Sequence, residues 1–215
     1  VSVIFDNLPL FGEGMLRTLS ICLWGGLGAL VLGSLLAVCS VTPVPILNRI
    51  GTGWVATMRN VPLAVVLFFF AFGLPEIGVR GSYFWFGTSA LAVYTAAFVC
   101  EALRSGINAV PIGQAEAARA LGVGFGTTLS QILLPQAFRA AVPPLANTSI
   151  AMIKDSALVG AIGVGGDLFS VADTLAATRG LDVIPVLGGV VIGYLLIIAP
   201  TSALFSLAER KAVLR

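Results

Sequence analysis

The sequence predicts an all-α, polytopic membrane protein: one domain of five transmembrane helices with a long loop before the fourth. Three observations predict it. Of 215 residues, 58% are hydrophobic and only 10% charged, where an ordinary soluble domain carries about a quarter charged residues. Mean hydropathy is +1.02. The charges also leave long stretches empty, at residues 18–48, 60–75 and 81–100, and about 20 apolar residues suffice to cross a bilayer core of about 30 Å. A net charge of +2 with so much apolar content excludes a disordered chain. It also argues against a nucleic-acid binder, which needs a basic face.

The elements follow in order. The first span is expected over about 15–40, ended by Thr42-Pro43-Val44-Pro45, with Arg17 at its outer interface. Its apolar stretch is longer than a secretory leader's and no basic segment precedes it, so a signal peptide is not expected. Val1 reads as a trimmed or alternative start. The second span is expected over about 54–74, with Arg59 near one end. The third, about 84–106, opens on the aromatic belt Tyr83-Phe84-Trp85-Phe86. Residues 107–136 break the apolar run with Gly, Gln and Thr, plus Glu116 and Arg119. A fourth span is expected over about 138–160. A mixed polar stretch at 163–182 follows, and the last span covers about 184–207. Pro143-Pro144 and Pro200 can kink the last two. Gly25-Gly26-Leu27-Gly28 with Gly33, and Gly188-Gly189 with Gly193, permit close helix packing.

Positive charge sets the orientation. In a five-span chain Arg49, Arg119 and the tail residues Arg210, Lys211 and Arg215 share one side. Asp6, Glu13, Glu76, Asp167, Asp173 and Asp182 lie on the other, with Arg80 and Arg179. The N-terminus is therefore expected outside, and the 107–136 loop and C-terminus in the cytoplasm of a plasma-membrane protein.

Absent residues exclude chemistry. With no histidine, Ser-His-Asp and Cys-His catalysis and most zinc sites are gone. Cys22, Cys39 and Cys100 lie singly in apolar runs and read as small buried residues. Neither lysine, Lys154 or Lys211, follows a GxxxxG, so there is no phosphate-binding loop and no ATPase motif. Gly122-Val123-Gly124-Phe125-Gly126 lacks the strand–helix context of a dinucleotide site. No catalytic residue, metal site or cofactor is expected on this chain.

In the loop, Gln114–Leu121 predicts a short helix with Ala115, Ala118 and Leu121 on one face, and Glu116 and Arg119 on another. Gly122 is placed to end it in the left-handed conformation. A second helix is expected from about Phe125 or Thr127 to Leu134, stopping before Pro135. By its physics such a projection fits equally a groove on another protein and the membrane surface.

Glu116-Ala117-Ala118, Gly122 and Ile132-Leu133-Leu134-Pro135 resemble, with spacing intact, the EAA motif of membrane subunits of binding-protein-dependent ABC importers. Three further blocks resemble the polar amino-acid branch, in particular its glutamate and glutamine permeases. They are Met58-Arg59-Asn60-Val61-Pro62-Leu63 with Phe72-Gly73-Leu74-Pro75, then Glu101 to Ile107, and Asn147, Ile150 with Ile153 to Leu158. The resemblance spans roughly residues 12–212. It implies a five-span permease whose loop carries a coupling helix for a cytoplasmic ABC ATPase dimer, with ATP and Mg on that partner. It also implies a second permease subunit, paralogous or identical, and an extracellular amino-acid-binding protein. Glu116, Ala117, Ala118, Gly122 and Pro135 would form the coupling site.

Charges at membrane depth cost a few kcal/mol, roughly 2.5–3.5 on the insertion scale, and so face partners or water. Glu101 and Arg104, three apart, read as a structural or snorkelling pair. The resemblance implies that Arg59, Lys154 and Asp155 line a substrate cavity, a cation taking the α-carboxylate and Asp155 the α-amino group. The residues alone leave interhelix pairing equally open. Where the family often has Gln this chain has Val66, and Asn60-Val61 replace Gly-Thr. A less polar pocket is therefore expected, and the substrate is held by this chain or by its partner subunit. A stand-alone secondary transporter or channel for a small polar solute is the alternative, against which stand the small span number and the absence of an inverted repeat. An intramembrane enzyme lacks a nucleophile–base pattern.

Overall fold

A computed structural model describes residues 2–213; Arg215, counted above in the basic tail, lies outside the described residues. The described chain is helical, without strands. A short α1 (Ser2–Asp6) precedes α2 (Leu8–Val41), α3 (Pro45–Asn60) and α4 (Leu63–Phe68). A π-helical turn (Phe69–Gly73) joins α4 to α5 (Leu74–Glu76). Then come α6 (Tyr83–Asn108), α7 (Ile112–Ala120) and α8 (Phe125–Thr127). A second π turn (Thr128–Leu133) leads without interruption into α9 (Leu134–Ala161). The chain ends with α10 (Leu168–Ala172), a third π turn (Asp173–Thr178) and α11 (Val183–Val213).

The expected first, third and fifth spans correspond to α2, α6 and α11, each long and apolar enough to cross a membrane. Inside burial separates them: 61% of the apolar window of α6 is covered by protein, against 33% for α2 and 28% for α11. So α6 sits centrally, packed between α2 and α9. The helices α2 and α11 turn Leu23, Val31, Leu35, Val191, Leu195 and Leu196 outward. These outward faces suit lipid, which needs no polar covering. The core runs along α2 in three sections. Phe11 packs with Leu168, Leu175 and Val186 at one end, Ile21 with Leu67, Leu91 and Val159 in the middle, and Leu36 with Val55, Ala96 and Ala97 at the other.

The second expected span is not one straight helix. Residues 54–74 cross the break between α3 and α4, whose axes meet at 103°. The cause is Pro62: it lacks an N–H and forces Val61 out of the helical region, to φ −97°, ψ 133°. Counted as one, the bent pair is a fourth membrane-crossing element by length and composition. The helix α9 carries Pro143, Pro144, Lys154 and Asp155, and is too polar to qualify on those terms.

The loop helix expected to stop before Pro135 does not stop. It continues from Phe125 to Ala161, and α9 begins at Leu134 rather than 138. A proline ring clashes with the carbonyl four residues back, here that of Gln131. That residue lies inside the π turn, where the Leu134 N–H reaches back to the Leu129 carbonyl and the wider turn gives the ring room. Pro75 follows the Phe69–Gly73 turn in the same register. The stretch 163–182, expected to be polar and mixed, contains a short apolar helix from Leu168 to Thr178, packed on α2, α9 and α11.

Candidate functional site

The projection between α6 and α9 is built by a tight helix stop. Gly122 takes φ +74°. Its N–H donates to the Arg119 carbonyl at 3.0 Å, and the Val123 N–H to the Ala118 carbonyl at 3.0 Å. This is the Schellman arrangement that left-handed glycine permits. It folds α7 onto the Thr128–Leu133 turn, burying Ala118 to 3% exposure. Leu121, expected on the Ala118 face, is instead the terminal cap and 82% exposed; Ile112 and Phe125 are 78% and 79% exposed. Glu116, Ala117 and Arg119 are also exposed. So Glu116, Ala117, Ala118 and Gly122 share one small projection, while Pro135 lies on the following helix just beyond the π turn. The exposed side offers three large apolar side chains beside both signs of charge.

The three expected substrate residues are divided. Arg59, in the last turn of α3, pairs with Glu101 on α6 at 3.4 Å, and Arg104 holds the same carboxylate through two bonds of 3.0 Å. Glu101 and Arg104 thus pair as expected, with Arg59 as a third member. The cluster borders a polar cavity of about 390 Å³ with Thr52, Ala56 and Asn60. Asp155 lies elsewhere, half-buried on α9 beside a cavity of about 270 Å³. Tyr94, Thr95, Phe98, Asn147, Thr148 and Met152 complete that cavity. Among the described residues Asp155 has no ion pair, and Lys154, next to it on α9, is exposed. Val66 is buried in the middle core section beside Leu67 and Met152, so its side chain joins the apolar packing.

One residue read only as a loop charge proves central. Asp167 is fully buried. It caps α10: Oδ1 accepts from the Ser170 N–H at 3.2 Å and from Ser170 Oγ at 3.0 Å. Oδ2 accepts from the Tyr194 hydroxyl of α11 at 3.2 Å. The next N–H, that of Leu168, donates to Thr18 Oγ1 on α2 at 3.0 Å. Gly160 of α9 lies directly against the carboxylate, leaving no room for a Cβ. One buried acid therefore joins α10 to α11 by hydrogen bonds and packs closely against α9. Its signal was present as Asp167 three residues before Ser170, ahead of an apolar run, which is an N-cap pattern.

Comparison with known proteins matches this architecture. Residues 29–212 match the family described as binding-protein-dependent transport system inner membrane component. The probable glutamine ABC transporter permease protein GlnM of Bacillus subtilis (strain 168) is 38% identical over 211 residues, covering 98% of this chain and 97% of that protein. The glutamate transport system permease protein GluC of Corynebacterium glutamicum is 44% identical over 160 residues, covering 69% and 70%. A crystal structure of an amino acid ABC transporter with histidines superposes with TM-score 0.90 at 30% identity, covering 97% of this chain and 96% of that one. An inward-facing MetNI methionine ABC transporter shares the fold, with TM-score 0.78 at 21% identity over 96% and 98%. The chain belongs to the family of inner membrane components of binding-protein-dependent transport systems, as a multi-pass permease subunit of an ABC importer and not its enzyme.

Proposed function

We propose that the chain carries polar amino acids, glutamine or glutamate by preference, as one of two permease subunits. The cavity at Asp155 carries the reading. A half-buried carboxylate with no ion pair among the described residues faces a space bordered by an amide (Asn147), hydroxyls (Tyr94, Thr148) and an aromatic wall (Phe98). A carboxylate is the natural partner of an α-ammonium group, and amide and hydroxyl groups complement a polar side chain. The names of the two permease relatives above point to the same cargo. Lys154, next to Asp155 on α9, serves the substrate carboxylate when the cavity is closed by the second subunit, and Arg59 serves it at the separate cavity it borders with Glu101 and Arg104.

The chain is a single permease domain with five crossings: α2, the bent α3–α5 element, α6, α9 and α11. Lipid surrounds it, with the N-terminus outside and the C-terminus in the cytoplasm. Its loop docks on a cytoplasmic ABC ATPase dimer that holds ATP and Mg; this chain holds no cofactor. Glu116, Ala117 and the exposed apolar side chains of α7 make the contact. Ala118, Gly122 and Pro135 hold its shape. An extracellular amino-acid-binding protein delivers the cargo. The test is uptake of labelled glutamine into proteoliposomes holding the complete complex, competed by glutamate, aspartate and arginine. ATP-dependent accumulation with glutamine and glutamate as the strongest competitors is expected. Accumulation driven by an ion gradient in the lone chain, or none of any amino acid by the complex, would overturn the reading.

A further inference from the structure

At the opposite end of α6 from Glu101 lies a cavity of about 500 Å³, bordered by Arg17, by Ser82 to Trp85 and by the run Gly163-Val164-Gly165-Gly166. Arg17 is exposed on α2. Its guanidinium carbon sits 4.8 Å from the centre of the Phe84 ring. No acidic group lies within ion-pair distance of it among the described residues. A guanidinium stacked on a ring keeps its edge free, and that edge carries the paired N–H donors that match a carboxylate.

The glycine run supplies the opposite wall. Gly163 and Gly166 have φ +78° and +61°. The Gly163 and Val164 N–H groups are used by the Gly160 and Val159 carbonyls, whereas those of Gly165 and Gly166 meet no protein acceptor among the described residues. A Cβ built on Gly166 would come within 3.9 Å of Arg17 Nε. Backbone N–H groups in a glycine-rich turn, set opposite a cation, make an anion-binding concavity.

We infer that this vestibule is an outer station for the substrate's carboxylate, filled before the substrate reaches the Asp155 cavity; this rests on the amino-acid reading above. Arg17 receives the carboxylate through its guanidinium edge, Gly165 and Gly166 donate from the other side, and Trp85 and Tyr83 cover the rest of the molecule. The volume suits a small solute. Phe84 at this station and Tyr94 at the Asp155 cavity stand on the same helix, ten residues or about 15 Å apart. Both pack against the same core section. The two cavities therefore lie only a short distance apart along α6.

Trp85 lines the vestibule and lies near Trp24, the rings tilted at 60° with 6.2 Å between their centres, so its emission reports occupancy. The experiment titrates the complete complex in nanodiscs, without binding protein, with L-glutamine and with L-glutaminamide, which lacks the carboxylate. The signal is the part lost in Trp85→Phe. Expected are a saturable change with L-glutamine, none with the amide, an affinity about tenfold weaker in Arg17→Lys and no response in Arg17→Gln. An equal response to the amide, or an unchanged one in Arg17→Gln, would overturn the inference. So would a wild-type complex that accumulates amino acids yet shows no Trp85-dependent response. A response set by anionic lipid in the nanodisc, insensitive to L-glutamine, would assign the site to headgroups and also overturn it. A complex that accumulates no amino acid at all would refute the proposed function instead.

Discussion

Placing one methyl group on Gly160 tests whether Asp167 is the tie between the last three helices. In Gly160→Ala the new Cβ would fall on the Asp167 carboxylate, which Ser170 and Tyr194 hold in place. Either α9 shifts away from α10, at the usual overpacking cost of about 1–3 kcal/mol, or the carboxylate turns and loses its bonds to Ser170 and Tyr194. Hydrogen bonds to a charged group are worth about 1.5–3 kcal/mol each. The cheaper route decides, so about 1–3 kcal/mol is expected. Asp167→Ala removes the same bonds to Ser170 and Tyr194, at a cost at least as large, but it also opens space beside Gly160. In the double variant the alanine at 160 occupies that space. The pair should then cost about as much as Asp167→Ala alone, a coupling of about 2 kcal/mol, within the range for residues in contact. The assay is thermal unfolding of the assembled complex in one detergent. Gly160→Ala should lower the midpoint by about 2–12 °C on the scale for domains of this size and Asp167→Ala by at least as much, with the double no lower than Asp167→Ala. Additive losses, or a neutral Gly160→Ala, would refute the reasoning.

Tyr194→Phe removes one donor to Asp167 and should cost about 1–3 kcal/mol, read in the same melting assay, while uptake at low temperature is kept. Gly122→Val meets no steric obstacle, but its φ of +74° costs an L-residue roughly 1–2 kcal/mol. Membrane insertion should persist while ATP-driven uptake and co-purification of the ATPase fall, with Gly122→Asn milder than Gly122→Val; full uptake by the valine variant would refute the role of the turn. Asp155→Ala should raise the substrate concentration for half-maximal uptake about tenfold or more. Arg59→Ala should raise it less, because Glu101 keeps its two bonds to Arg104. Normal uptake by both variants at normal membrane levels would remove them from the substrate path.

Charge-free runs were enough to read α2, α6 and α11, because a membrane-crossing helix is apolar along most of its length whether it faces lipid, as α2 and α11 do, or the protein core, as α6 does. The prolines were harder: Pro135 was expected to end its helix, and Pro62 carried no expectation of its own. Pro62 breaks its helix, while Pro135 is absorbed. The difference lies upstream. Arg59-Asn60 already ends α3 in polar residues before the extended Val61, whereas Ile132-Leu133-Leu134 continues an apolar face that favours a widened turn over a break. The α7 projection was legible because its glycine stop and its spacing are local. The grouping of Arg59 with Asp155 was not, since which faces of α3, α6 and α9 meet depends on packing that no linear pattern records. Asp167 was overlooked because an acid between spans ordinarily marks a wet loop, and only the buried α10 makes it structural.

The absorbed proline bears on how the subunit transmits force. Had the second loop helix ended before Pro135, α7 would be joined to the membrane helices by a hinge. Instead one helix runs from Phe125 to Ala161, with Asp155 about 45 Å along it from Phe125. The projection packs against the start of this rod, at the Thr128–Leu133 turn. A displacement at α7 therefore reaches Asp155 as rotation or translation of a single element, softened only at the π turn and at Pro143-Pro144. The same rod meets α6 along its length and ends against Asp167 through Gly160. Its far end is thus packed against the buried Asp167, which joins α10 to α11, its near end is free to be driven, and the cavity-lining carboxylate of Asp155 lies between the two.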